Sequence, residues 1–208
     1  MTSYPVFFSI TRPERFDRAQ VALRLLILAV FSIVGITMGA LFGLLYLALP
    51  LFAAIAVSTK GGRRFLDEDG PRFARGIRWV MSAYAYMMLL TDHLPSSPED
   101  DVRLAIEPGA WSAPGPSTGS ALLRLITSLP SAFVLGLLGL VSWVVWLVAA
   151  VMILVTEDYP AALHAFQCGV LRWQARLFAY HASLTEPYPP FAFDASPLAD
   201  VGGERWAH

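Results

Sequence analysis

Leu25 to Thr59 reads LLILAVFSIVGITMGALFGLLYLALPLFAAIAVST, 35 residues without one Asp, Glu, Lys, Arg or His. A core helix of a soluble domain rarely needs more than about 20 such residues. As one straight helix the stretch would extend roughly 52 Å, against a hydrocarbon core about 30 Å thick. Split in two, each leg has about 16 to 17 residues and reaches roughly 25 Å, which puts a turn near the far face of a bilayer. The flanking charge agrees. Arg12, Arg15, Arg18 and Arg24 precede the stretch, and Lys60, Arg63, Arg64, Arg72, Arg75 and Arg78 follow it. Under the positive-inside rule both clusters belong in the cytoplasm, so the segment between them crosses an even number of times. A helical hairpin meets that requirement.

A second uncharged stretch, 32 residues from Leu125 to Thr156, asks for the same solution. The whole chain of 208 residues is 56% hydrophobic and 15% charged, with a mean hydropathy of +0.55, a balance that belongs to bilayer proteins. The first apolar run is far longer than the core of a secretory signal and follows a polar lead of 24 residues, so the N-terminus is expected to be retained. The single cysteine, Cys168, excludes an internal disulfide and a multi-cysteine metal site, and reads as a small apolar residue.

Gly35, Gly39 and Gly43 recur every four residues in the middle of the first stretch; Gly136, Gly139 and Ser142 occupy the middle of the second. Such spacing lets helix backbones approach closely in lipid. The same glycines also suit the hairpin turns, and both readings stand.

The chain repeats itself. Arg78-Trp79, Ala85-Tyr86 and Leu90-Thr91-Asp92 fall on Arg172-Trp173, Ala179-Tyr180 and Leu184-Thr185-Glu186 at an offset of 94, and Pro95 falls on Pro189. Upstream, Val6, Phe8 and Ile10 meet Val102, Leu104 and Ile106 at an offset of 96, both segments alternating as short half-buried strands do. After each hairpin a third helix follows, carrying arginines at a density that a span does not tolerate, since one arginine at a bilayer centre costs at least about 2.5 kcal/mol. These helices are expected to lie in the interface, with Trp79, Tyr84, Tyr86, Trp173 and Tyr180 at the headgroup level. Arg78, Arg172 and Arg176 would face the same level.

The expected fold is therefore mainly α and integral to a membrane. It comprises two tandem parallel repeats, each a short β-strand, a transmembrane helical hairpin and an interfacial amphipathic helix, with four membrane helices in all. The first repeat covers 1–95, a Pro/Ser/Gly-rich linker with the second strand covers 96–120, the second repeat covers 121–191, and an extended tail covers 192–208. Residues 1–98 carry 10 basic and 6 acidic side chains, against 5 and 10 in 99–208. The basic half should attract anionic lipid headgroups.

Thr156-Glu157-Asp158-Tyr159-Pro160, Val170-Leu171-Arg172-Trp173, Ala179-Tyr180 and Pro187-Tyr188-Pro189-Pro190-Phe191 together resemble the bacterial membrane-protein family known as domain of unknown function 4389. In that family a Tyr-Pro follows the hydrophobic segment and an Arg-Trp helix leads to a Tyr-Pro-Pro-Phe end. The likeness spans about 90 residues of the second repeat. The first repeat departs from it, with Lys60 to Gly70 in place of the Tyr-Pro segment and His93-Leu94-Pro95 in place of Tyr-Pro-Pro. The resemblance implies a bacterial envelope protein of unknown activity, expected as a multi-pass protein of the inner membrane with both termini cytoplasmic.

The sequence holds no convincing catalytic constellation. His164 and Cys168 stand four apart on one helix without a second ligand pair; His93 and His181, considered as haem ligands, are not at equivalent repeat positions. Asp67-Glu68-Asp69 and Glu99-Asp100-Asp101 read as solvated loop faces. No phosphate-cradling loop or nucleic-acid module is present. No ionisable residue lies inside either apolar stretch, which argues against proton-coupled transport. The expectation is a protein with neither enzyme activity nor cofactor, a scaffold or accessory subunit packed against another integral membrane protein. The alternative is a lipid-handling or small-hydrophobe binding protein with a cleft between the repeats lined by Arg78, Arg172 and Arg176.

Overall fold

A computed structural model describes residues 4–33, 38–95, 101–107, 111–112 and 114–193. The described chain is mainly α. Its elements run β1 (Val6–Ile10), α1 (Arg18–Ile33), α2 (Met38–Lys60), α3 (Gly62–Glu68), α4 (Gly70–Met87), β2 (Val102–Ile106), α5 (Thr118–Thr127), α6 (Leu129–Thr156) and α7 (Ala161–His181). Helices α2 and α6 are long and apolar enough to cross a membrane, and only 28% of each apolar window is buried inside the molecule. A soluble core helix would hide most of that surface.

The expected hairpin turns fare differently. In the first stretch α1 is described to Ile33 and α2 from Met38, so the expected turn and Gly35 fall at 34–37, outside the described residues. The second is not divided near its middle. Helix α6 continues unbroken for 28 residues, about 42 Å, and the break falls at Ser128, after an α5 of 10 residues, about 15 Å. The cause is Pro130, in the first turn of α6. There its missing N–H costs nothing, whereas a helix continued from α5 would lose a hydrogen bond and meet the ring. Gly39, Gly43, Gly136 and Gly139 lie within α2 and α6 and form no turn.

Strands β1 and β2 form a two-stranded antiparallel sheet, with Phe8 opposite Leu104, Val6 opposite Ile106 and Ile10 opposite Val102. Val6, Phe8, Val102, Leu104 and Ile106 point into the main core. Packing crosses between the chain's halves: α1 lies on α6, α2 on α5, β1 on α7 and β2 on α4. Helices α4 and α7 also pack on each other.

Both of these helices end in the same device. Leu89 and Ser183 adopt left-handed backbone, with φ of 63° and 56°. In α4 the Leu90 N–H donates to the Ala85 carbonyl at 2.9 Å and the Leu89 N–H to that of Tyr86 at 3.2 Å; in α7 Leu184 and Ser183 donate to Ala179 and Tyr180, both at 3.0 Å. This is the Schellman arrangement, and Leu90 and Leu184 each close it with a buried apolar side chain.

The expected interfacial placement of the third helices holds for neither in full. Trp79 of α4 is 55% exposed, but Tyr84 and Tyr86 are buried. Most of α7 is enclosed by β1, α2, α4, α6 and the 188–193 segment: Trp173 and Arg176 are 3% and 2% exposed. Trp173 packs edge-on against Phe191 and Phe193, rings that an extended solvent-exposed tail would have carried away.

Candidate functional site

Each apolar stretch is preceded by one last cation, Arg24 or Arg124, and the fold buries both. Arg24 lies 4.1 Å above the Tyr86 ring, donates to the Thr91 carbonyl at 2.7 Å and pairs with Asp92 at 2.9 Å. Arg124 lies 4.1 Å above the Tyr180 ring and 4.8 Å from that of Trp111, and donates to the carbonyls of Tyr180 and, at 2.8 Å, Thr185. The acids that follow do equivalent work: Asp92 accepts the Asp17 N–H and Glu186 the Ser112 N–H, each at 2.9 Å. The Ser112 amide holds the Glu186 carboxyl below its ordinary range. A guanidinium can satisfy several carbonyls while stacking on a ring, so these two clips fasten the first helix of each half, α1 or α5, to the end of its last, α4 or α7.

The clips differ in one respect. Among the described residues Nε and Nη1 of Arg24 are buried without a hydrogen-bond partner. Sequence reasoning passes over both arginines because it reads the charges outside the apolar runs as topology signals. The signal that would have found them is their place, immediately before Leu25 and Leu125.

The arginines expected at lipid headgroups are drawn to main-chain carbonyls instead. Arg78 Nε donates to Val102 at 3.3 Å and Arg172 Nε to Phe8 at 3.1 Å, so each reaches the strand of the other half. Arg172 also donates to the Phe193 carbonyl, and Arg176 donates to that of Ala192 at 3.1 Å and lies 5.6 Å over the Tyr4 ring. Tyr86 donates to Gln20 at 2.7 Å, and Tyr180 shares a 3.1 Å hydrogen bond with Thr127. Gly43, Gly136 and Gly139 stand beside open space: a methyl added at any of them would meet nothing within 4 Å, so among the described residues no helix approaches closely there.

A buried polar cluster joins α2, α7 and the α5–α6 junction. His181 Nδ1 lies 3.1 Å from the Tyr46 carbonyl and Nε2 2.6 Å from Ser128 Oγ, while Tyr46 donates to the Leu125 carbonyl at 2.7 Å. Both imidazole nitrogens are engaged within the chain, so His181 offers no open ligand position. Burial pushes it down to about 4. The unfolded chain binds this proton near 6.5, the folded chain only near 4, so the stability associated with a neutral His181 is complete above pH 6.5 and is lost as pH falls towards 4. Between pH 6.5 and 5 the loss is about 2 kcal/mol. His181→Gln should therefore flatten the pH dependence of the unfolding midpoint in detergent; identical slopes for the two proteins would exclude the imidazole as the source.

His164 and Cys168 touch at 3.6 Å, but burial lowers the imidazole and pushes the thiol up to about 11, the opposite of an activated nucleophile. His93 lies 3.0 Å from Asp101. Glu68 and Asp69 pair with Lys60, Arg64 and Arg72, and the Lys60 hydrogen bond holds the Asp69 carboxyl down. Among the described residues no three His, Cys, Asp or Glu side chains converge as a metal site.

Between α2, α4, α6 and α7 a cavity of about 210 Å³ is lined by Gly39, Phe42, Tyr84, Gly139, Ser142 and Gln167, among others. Three expected helix-packing glycines, Gly39, Gly136 and Gly139, contribute to its wall.

Residues 119–192 match the family described as Domain of unknown function (DUF4389). That segment holds the Arg124 clip, the α6 and α7 walls of the cavity and the segment under which Trp173 lies. No curated protein and no solved structure matches the chain.

Proposed function

Starting from a chain whose residues 119–192 form a DUF4389 domain, we propose a multi-pass membrane protein without catalytic chemistry, a scaffold or accessory subunit of a larger membrane assembly. The observation that carries this reading is the division of its surfaces. Leu26, Leu44, Phe52, Ile126, Leu140 and Val155 stand exposed on α1, α2, α5 and α6, while the buried cations are spent on the chain's own carbonyls. An apolar belt of this kind needs lipid or a partner to cover it.

On this reading the two halves are parallel repeats about an axis along the membrane normal. The support is threefold: Phe8 pairs with its repeat mate Leu104, the Schellman ends recur at the offset of 94, and the two arginine clips are alike. Both hairpins enter and leave by one face, since Arg18 at the start of α1 meets Val155 and Glu157 at the end of α6, and Gly62 after α2 abuts Gly115 and Pro116 before α5. That face carries the basic clusters and is assigned to the cytoplasm of a bacterial cell, against anionic lipid. All four helices are membrane-embedded, α5 reaching about halfway through the hydrocarbon. The protein partner would cover the open face around Gly43.

Extraction from native membrane in mild detergent, followed by mass spectrometry, tests this. A stoichiometric integral membrane partner is expected, and recovery as a lone monomer with no protein attached would overturn it. A second reading, small-hydrophobe binding between the halves, is favoured by the cavity lined by α2, α4, α6 and α7.

A further inference from the structure

The cavity between α2, α4, α6 and α7 has a composition that selects its occupant. Phe42, Leu135, Val170 and Leu171 supply apolar walls, and Gly136 and Gly139 supply bare backbone. None of the described lining residues carries a charge, so an ionised ligand would lie there without a counter-charge, at a large desolvation cost. An apolar cavity of about 150 Å³ holds a benzene ring, so 210 Å³ takes a substituted ring or a short chain.

Its polar groups are unevenly satisfied. Tyr84 donates to the Met38 carbonyl at 3.0 Å, and Gln167 Nε2 donates to the Ser142 carbonyl at 3.0 Å. Ser142 is 3% exposed and lines the cavity; its hydroxyl has no partner among the described residues and, in the rotamer seen, is closed off from the open space. A helical serine ordinarily returns its hydrogen to a carbonyl one turn back, and an unpaired buried hydroxyl is costly. Leu140 and Trp143 line the cavity and also belong to the exposed apolar belt, at 67% and 43% exposure. The mouth therefore opens on the surface that faces hydrocarbon rather than water.

We propose that this cavity binds a neutral lipophile bearing one hydrogen-bonding oxygen, which enters from the bilayer and seats that oxygen on the Ser142 hydroxyl as the serine side chain turns into the cavity. The inference gives the small-hydrophobe reading its ligand class and does not depend on the scaffold reading, whose test is the recovery of a protein partner. The apolar body of the ligand lies along Gly136 and Gly139, where side chains would otherwise stand.

Trp143 at the mouth is the reporter. The full chain in lipid nanodiscs is titrated with 4-bromobenzyl alcohol and with 4-bromotoluene, bromine quenching indole fluorescence on contact, and Trp143→Phe identifies the signal. Saturable quenching by the alcohol is expected. Gly139→Leu should weaken it more than about tenfold, because its side chain enters open space that the ligand needs. Gly136→Leu fills the same wall one turn away and should do the same. Ser142→Ala should weaken the alcohol about 2- to 10-fold, the range of one hydrogen bond, and leave bromotoluene unchanged. Non-saturating quenching that both leucine variants retain would mean simple partition into the bilayer and overturns the proposal. So does a Ser142→Ala protein that treats the two probes alike.

Discussion

Arg124→Gln is expected to cost about 3–5 kcal/mol, because glutamine reaches neither carbonyl now served by the guanidinium. The carbonyls of Tyr180 and Thr185 would be left buried without this donor, and two ring contacts, with Tyr180 and Trp111, would go at the same time. Each lost carbonyl bond is worth about 1–3 kcal/mol and the stacking about 0.5–2. For a chain of this size the thermal midpoint in detergent should fall by roughly 10 °C. Arg124→Lys keeps the charge but loses the planar fork, so it should recover little. Arg24→Gln should cost less, since two of the Arg24 nitrogens are already buried without a partner and their removal is a gain that offsets the lost Thr91 and Asp92 contacts. Arg103, exposed on β2, is the control. An Arg124→Gln midpoint indistinguishable from that of Arg103→Gln would show that the clip carries no weight.

Gly62→Ala is the second large effect, at about 3 kcal/mol. A methyl there would collide with the Pro116 carbonyl oxygen and come within 2.9 Å of the Pro116 nitrogen, backbone atoms that cannot swing aside. The opposing Gly115 has φ +93°, so that segment has little freedom to withdraw. Gly76→Ala makes the contrast: its methyl meets nothing within 4 Å, and alanine in a helix interior should stabilise by about 0.5–1 kcal/mol. Unfolding midpoints moving in opposite directions are expected. Two variants moving together would mean that the 62–116 contact does not exist in the folded protein.

Much of this architecture is legible in the sequence because it rests on local pattern. The alternation in Val6–Ile10 and Val102–Ile106 announces the strands, and the offset of 96 that aligns Phe8 with Leu104 anticipates two residues that face each other in the sheet. The uncharged runs announce α2 and α6. Proline is where the reading fails: halving both runs by length ignores Pro130, which makes α6 a single long helix. The seven-residue α3 hides in a stretch whose sequence reads only as a departure from the repeat. Arg172 and Arg176 mislead for a different reason. An arginine beside tryptophan has the same local signature whether it meets a phosphate or a carbonyl, and the carbonyls of Phe8, Ala192 and Phe193 come from distant sequence or from a tail without periodicity. The cavity is invisible in the same way, since Gly39, Phe42, Gly139 and Gln167 converge only once α2, α6 and α7 are assembled.

Strand β1 pairs with a segment that ends at Ile106, so its first residue waits for a partner synthesised 100 residues later. At about 5–20 residues per second that delay is roughly 5–20 s. Helix α1 waits longer still for the end of α6, and β1 for α7. The N-terminal half is therefore made while β1 is unpaired and the packing face of α4 is bare. Such a half-built chain is sticky, and the yield of this protein in a cell is governed as much by how its nascent first half is shielded as by the stability of the finished fold.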